Sequence, residues 1–107
     1  MKAGQLRHRI EFQERNETRG TQGGLVESWT TLAFRWARIV PLNGQELVNA
    51  QQIKNTISHR IELRYWVDLT AKLRIVFNGR TFGIDSVINI DERNREHHCF
   101  CTEEVAA

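Results

Sequence analysis

The chain is 107 residues long, the size of one domain over 1–107, and its 40% apolar content is enough for a thin core and too much for disorder. The net charge of +2 is a poor electrostatic footprint for a dedicated nucleic-acid binder. No apolar run nears the roughly 20 residues of a membrane span, the start lacks a signal peptide's apolar stretch, and Cys99 and Cys101 stand too close to staple a fold, so membrane, secreted and fibrous classes are disfavoured.

Period-two alternation, the mark of half-buried strands, organises the chain. Leu6, His8, Ile10 and Phe12 fall on one face, with Arg7, Arg9, Glu11 and Gln13 on the other. Asn16 to Gly24 contains three glycines and no large apolar residue, which predicts a long, flexible hairpin loop. Leu25 to Val40 is rich in β-branched and aromatic residues, including Trp29, Phe34 and Trp36, and reads as two short strands or one bent strand. Pro41-Leu42-Asn43-Gly44 is a turn signal with Asn43 as a helix N-cap, and Gln45 to Lys54 fits one short helix. Its apolar face is Leu47, Ala50 and Ile53.

The cleanest alternation runs from Thr56 to Trp66. Ile57, His59, Ile61, Leu63 and Tyr65 face one way, and Ser58, Arg60, Glu62 and Arg64 the other. Leu73, Ile75 and Phe77 lead into Asn78-Gly79, the pair a type I′ hairpin turn needs, and Phe82 and Ile84 resume the inward face. A change of apolar phase at Val87, Ile88 and Ile90 predicts a bulge. Asp91 to Arg95 is a polar turn, and Glu96 to Val105 forms a last strand. These elements make a mainly β fold: a small antiparallel β-barrel of six or seven strands with one short α-helix, closed because so short a chain has little else to cover sheet edges.

Little in the chain carries covalent chemistry. His97, Cys99 and Cys101 share one strand face, but structural zinc sites favour paired clusters with wider cysteine spacing, so the cysteines read as small buried hydrophobes. His98 and Cys99 point to opposite faces and form no thiol dyad. No hydrolase elbow, metalloprotease or phosphate-loop motif is present, so neither catalysis nor a cofactor is expected.

The distinctive imbalance is 12 Arg against 3 Lys, since Arg is favoured and Lys depleted at protein interfaces. Arg7, Arg9, Arg60 and Arg64 lie on outward strand faces and are candidate interface residues. The aromatic residues fall mostly on apolar faces, where a core needs them. Trp66 is the exception, and two readings of it stand open. Alternation sets it outward beside Arg60 and Arg64 as an interface hot spot; alternatively the strand ends earlier and the ring tucks under the following loop. A small barrel with such arginines also admits a second class, nucleic-acid binding by stacking and charge.

The ordered set Leu6-Arg7-His8-Arg9-Ile10, Trp36-Ala37, Pro41, Gly44-Gln45-Glu46, Ala50, His59, Arg64-Tyr65, Gly79-Arg80, Phe82, Ile84, Val87, Asn89, Asp91, Arg95 and Cys101 resembles the phage head–tail adaptor family, also called head-closure, head-completion or stopper proteins. No single residue of the set is specific; the order and the separations are. The resemblance implies a β-barrel that assembles as a homo-oligomeric ring at the DNA exit channel and joins head to tail. It implies a location in the virion, after a period in the host cytoplasm. Its partners would be the portal or a portal-bound adaptor, a tail-completion protein, and double-stranded DNA that passes without sequence-specific binding; no membrane, cofactor or metal is implied. The resemblance makes Asn16, Glu17, Arg19, Gly20, Gly23 and Gly24 the candidate gating or docking loop. The paired Cys99 and Cys101 depart from what that family leads one to expect.

Overall fold

The inward face that begins at Leu6 becomes strand β1 (His8–Arg19), with Ile10 and Phe12 fully buried, in a computed structural model that describes residues 3–19 and 24–104. Strand β2 (Leu25–Pro41) is one continuous 17-residue strand, and the expected break is only a bulge. Phe12 pairs with Ala33 and Gln13 with Thr31, so Leu32 is the extra residue. The predicted loop is shorter than its composition suggested. Asn16 pairs with Ser28, Glu17 with Glu27 and Arg19 with Leu25, all within the β1–β2 ladder. Backbone pairing does not need apolar side chains, so a polar segment can continue a ladder. Gly24 is exposed at the start of β2, while Gly20 and Gly23 lie outside the described residues.

After β2 the chain turns into helix α1 (Gly44–Ile53). Asn43 holds the N-cap position with extended backbone, yet its side chain makes no capping hydrogen bond. Ala50 is buried and Leu47 half-buried, packed with Leu42, Ile57 and Phe100 as a small second core. Ile53, expected on this face, is the helix's last residue and is 75% exposed.

Strand β3 (His59–Arg64) is followed by the hairpin β4 (Arg74–Phe77) and β5 (Arg80–Asn89), and then by β6 (Glu96–Glu104). Asn78 and Gly79 turn the hairpin at φ 49° and 77°, the positive pair that the sequence predicts. The predicted bulge in β5 falls between Ile84 and Ser86. The sheet closes as a barrel in the order β1-β2-β3-β6-β5-β4, all neighbours antiparallel. Six strands and one α-helix make up the architecture of the described residues.

Closure uses only part of the two longest strands. β4 meets β1 at Glu11, Phe12 and Gln13, and β3 meets β2 from Ala37 to Pro41. Beyond Gln13 and Thr31 the two strands pair only with each other and form an arm, and the molecule measures 48 × 27 × 26 Å. The barrel interior holds Ile10, Phe12, Ile61, Leu63, Ile75, Phe82, Cys99 and Cys101, all fully buried. Burial of a side chain of this size contributes about 1.5–3 kcal/mol, so this one cluster supplies most of the hydrophobic stabilisation.

Candidate interaction surface

β2 runs with Ala33 and Ala37 facing the core, so Phe34 and Trp36 take the outward face, 48% and 57% exposed. On β1 Arg9 pairs with Trp36, and its guanidinium stacks over the Phe34 ring, 4.8 Å from the centroid. Such an exposed cation–π contact is worth about 0.5–1 kcal/mol and holds the ring and the charge in fixed relation. Beside them opens a groove of about 570 Å³ lined by Leu6, Phe34, Arg35, Trp36, Leu63, Arg64 and Tyr65. Arg7 lies next to Leu6, its Nε donating to the Gly4 carbonyl at 3.2 Å. Arg7, Arg9, Arg35 and Arg64 make no ion pair among the described residues. An apolar floor with unneutralised guanidiniums around it is the composition of an interface hot spot.

The candidate interface residues differ in their surroundings. Arg7, Arg9 and Arg64 are exposed at or beside the groove. Arg60 is not available: it pairs with Glu46 of α1 and, through Nε, with Glu62 at 2.7 Å. Trp66 corrects the outward reading. β3 ends at Arg64, and the Trp66 ring, 9% exposed, turns under the barrel end to lie 4.9 Å from Phe12. Arg35 covers its other side at 4.9 Å. The exposed tryptophan is thus Trp36, which hydropathy alone assigns to the core. The signal that finds it is small inward neighbours: Ala33 stands opposite Phe12, where a second large ring would not fit.

A polar network covers the β3–β6 face. Glu62 is only 5% exposed although it points outward, because Arg60 and Arg38 (3.5 Å) close over it. His98 pairs with Glu62 across the ladder and contacts Glu96 at 2.7 Å. Glu62, Glu96 and His98 bring their ligand atoms within 4.8 Å of one another, the three-residue set with metal-ligand geometry among the described residues. The carboxylate at its centre is already neutralised by two arginines. Cys99 and Cys101 are core residues, as expected, and His97 on the same strand face is a buried polar residue. Burial pushes the Cys99 thiol up to about 12 and the Cys101 thiol higher still, the state of inert rather than nucleophilic cysteines. His97 accepts the Trp66 backbone N–H at Nδ1 (3.3 Å), and burial lowers its pKa.

At the far barrel end the Ser58 hydroxyl lies 2.7 Å from His59 Nδ1, and His59 Nε2 lies 3.8 Å from Glu103. Arg80 clamps Glu103 with two bonds of 2.9 and 3.0 Å and holds its carboxyl below the usual range. The Glu103 N–H donates to Ser58 Oγ, which fixes the hydroxyl in the ladder. Burial keeps His59 below its ordinary pKa, against the pull of Glu103. These groups lock β3 to β6 and β5.

Similar proteins place the chain. The solution structure of protein SF1141 from Shigella flexneri 2a matches with a TM-score of 0.80 at 24% identity, covering 100% of both chains. A chain of the native gene transfer agent virion matches with a TM-score of 0.65 at 20% identity, over 95% of this chain and 97% of that one. Both likenesses show a shared barrel fold. No curated protein matches the chain. The family described as phage head completion protein matches residues 1–104, a span that contains every motif residue from Leu6 to Cys101, and the chain belongs to that family of structural proteins of the phage particle.

Proposed function

We propose that the chain is the ring-forming connector that closes the portal vertex after DNA packaging and joins head to tail, acting by docking alone, without catalysis or cofactor. The observation that carries the reading is the Phe34–Trp36 groove with its unpaired arginines, because a barrel whose own core is complete has no internal need for exposed aromatic rings. Family membership supplies the setting, the assembly of the phage head with its neighbouring structural proteins. In this reading residues 1–107 act as one domain, with the portal or a portal-bound adaptor on one side and a tail-completion protein on the other. The β1–β2 arm, with Asn16, Glu17 and Arg19 in its strands, is the element that gates the channel or docks on a neighbour. A near-neutral chain lets double-stranded DNA slide past, since each phosphate neutralised would add salt-dependent grip.

Cryo-microscopy of cognate portal–adaptor complexes with and without the protein tests the reading. An added ring of density is expected, and its absence refutes the connector role. Fluorescence anisotropy with single- and double-stranded DNA at low salt addresses the nucleic-acid alternative. A flat titration is expected; tight binding that weakens steeply with salt would replace the connector reading with that one.

A further inference from the structure

In a closed barrel of six strands each strand has a counterpart three places away in either direction. Here β5 is that counterpart of β2. The two strands are also linked in register across the wall between them. One continuous rung of paired residues runs from Arg38 on β2 through Glu62 and His98 to Ile88 on β5. Trp36 stands two residues from Arg38 on the same outward face, and Ile88 is itself an exposed apolar residue, 42% accessible. The barrel therefore presents exposed apolar side chains on two strands that stand three places apart around the wall.

Charge decides how these patches are used. The β2 side carries Arg7, Arg9, Arg35 and Arg64 without ion-pair partners among the described residues, so two copies meeting β2 to β2 would set guanidinium against guanidinium. The β5 side continues past Ile88 into Ile90, Asp91 and Glu92. Asp91, Glu92 and Asn94 all hold positive φ, of 55°, 53° and 57°, a costly arrangement for residues other than glycine. Reciprocal bonds between Asn89 and Asn94, at 2.7 and 3.1 Å, brace the turn, and the Tyr65 N–H ties it to β3 through the Arg95 carbonyl at 3.0 Å. Arg93 and Arg95 line a hollow on the β3 side with Arg64, Ile90, Asp91 and Glu96, whereas Glu92 stands outside that hollow. A braced, strained turn thus carries the exposed Glu92 four residues beyond the exposed Ile88.

We infer that the occupant of the Phe34–Trp36 groove is the Ile88–Glu92 edge of a second copy of this chain, in a head-to-tail contact that repeats around the ring. The inference rests on the ring reading above and names the surfaces that make it. Ile88 covers the Trp36 and Phe34 rings, and Glu92 meets Arg9. Because the donor and acceptor patches are different surfaces, the contact is heterologous, the kind that generates rings rather than closed dimers.

Disulfide capture on assembled portal complexes tests this. Trp36 and Ile88 are exposed, so W36C and I88C leave the core intact, and the native cysteines are fully buried. Oxidation of the W36C/I88C double variant is expected to give a ladder of covalent oligomers, each single variant alone to remain uncrosslinked, and the mixed singles to stop at dimers. Dimers from W36C alone would show a face-to-face contact and overturn the inference. So would rings visible by microscopy that the double variant fails to link. Absence of rings from the unmodified protein would refute the connector reading itself, which keeps the two failures distinct. As a second arm, Arg9→Glu and Glu92→Arg should each weaken ring assembly about tenfold or more, and the double swap should restore it; no rescue would remove the Arg9–Glu92 pairing.

Discussion

Arg60 donates from Nε to a Glu62 carboxylate oxygen 2.7 Å away on the same strand, and the carboxylate it neutralises is 5% exposed. The same guanidinium reaches Glu46 on α1, so one side chain links the helix to the barrel wall. Arg60→Ala leaves Glu62 with Arg38 alone and should lower stability by about 2 kcal/mol in urea unfolding. Glu62→Gln in that background should recover part of the loss, since an amide tolerates the missing charge. No recovery would mean that Arg60 acts through packing of its stem.

Trp66 and Trp36 should behave as opposites. Trp66→Ala empties the barrel end against Phe12 and should cost about 3–5 kcal/mol. Trp36→Ala removes an exposed ring and should change unfolding by no more than about 0.5 kcal/mol. Urea titrations of the two variants side by side provide the check.

Stability should fall in two steps as the solution is acidified. His59 and His97 have folded pKa values held below 6.5, so the unfolded chain takes up their protons first. Their contribution is complete above pH 6.5 and is lost as the pH falls below it toward the folded values. Glu11 and Glu103 are held below 4.5 by hydrogen bonds, from Thr31 and from Arg80, and their contribution is lost below that value. Melting temperatures from pH 8 to pH 3 should show both declines, and His97→Gln should reduce the first. A profile flat between pH 7 and pH 5 would contradict this assignment.

The thiols of Cys99 and Cys101 should be silent in the folded protein. Both are fully buried with raised pKa values, so a disulfide reagent should titrate none in native buffer and both in denaturant. Rapid native labelling would reveal opening of the β3–β6 ladder.

Much of the barrel was legible because its signals are local. Alternation from Leu6 to Phe12 and from Ile57 to Leu63 marks strands buried on one side, and Asn78-Gly79 encodes a turn through its own backbone preferences. The interaction surface was less so, because it depends on competition for interior volume between distant residues. Trp66 enters the barrel from a loop, and Ala33 and Ala37 leave it room, which turns Trp36 and Phe34 outward. Within β2 the only trace of that exchange is the pair of small residues Ala33 and Ala37, whose meaning depends on Phe12 and Trp66 elsewhere in the chain. Arg7, Arg9 and Arg64 were readable as outward residues, whereas the tie of Arg60 to Glu46 crosses from helix to sheet, beyond any periodicity. Polar composition likewise disguised the arm, whose ladder is carried by main-chain pairing and reinforced by the Asn16 amide donating to the Thr30 hydroxyl.

The even number of strands bears on the size of the assembly. A barrel whose docking sides faced in strictly opposite directions would stack its copies into an endless straight row. A closed circle needs each copy to act as a wedge, with its two sides tilted from parallel by one full turn divided by the number of copies. In the proposed ring that tilt would be set by the twist and shear of the wall between β2 and β5, including the irregularity after Ile84. Under that proposal the copy number would be written in the curvature of the barrel rather than in any residue at the contact, and insertions in that wall, more than substitutions in the groove, would be the changes that resize the circle.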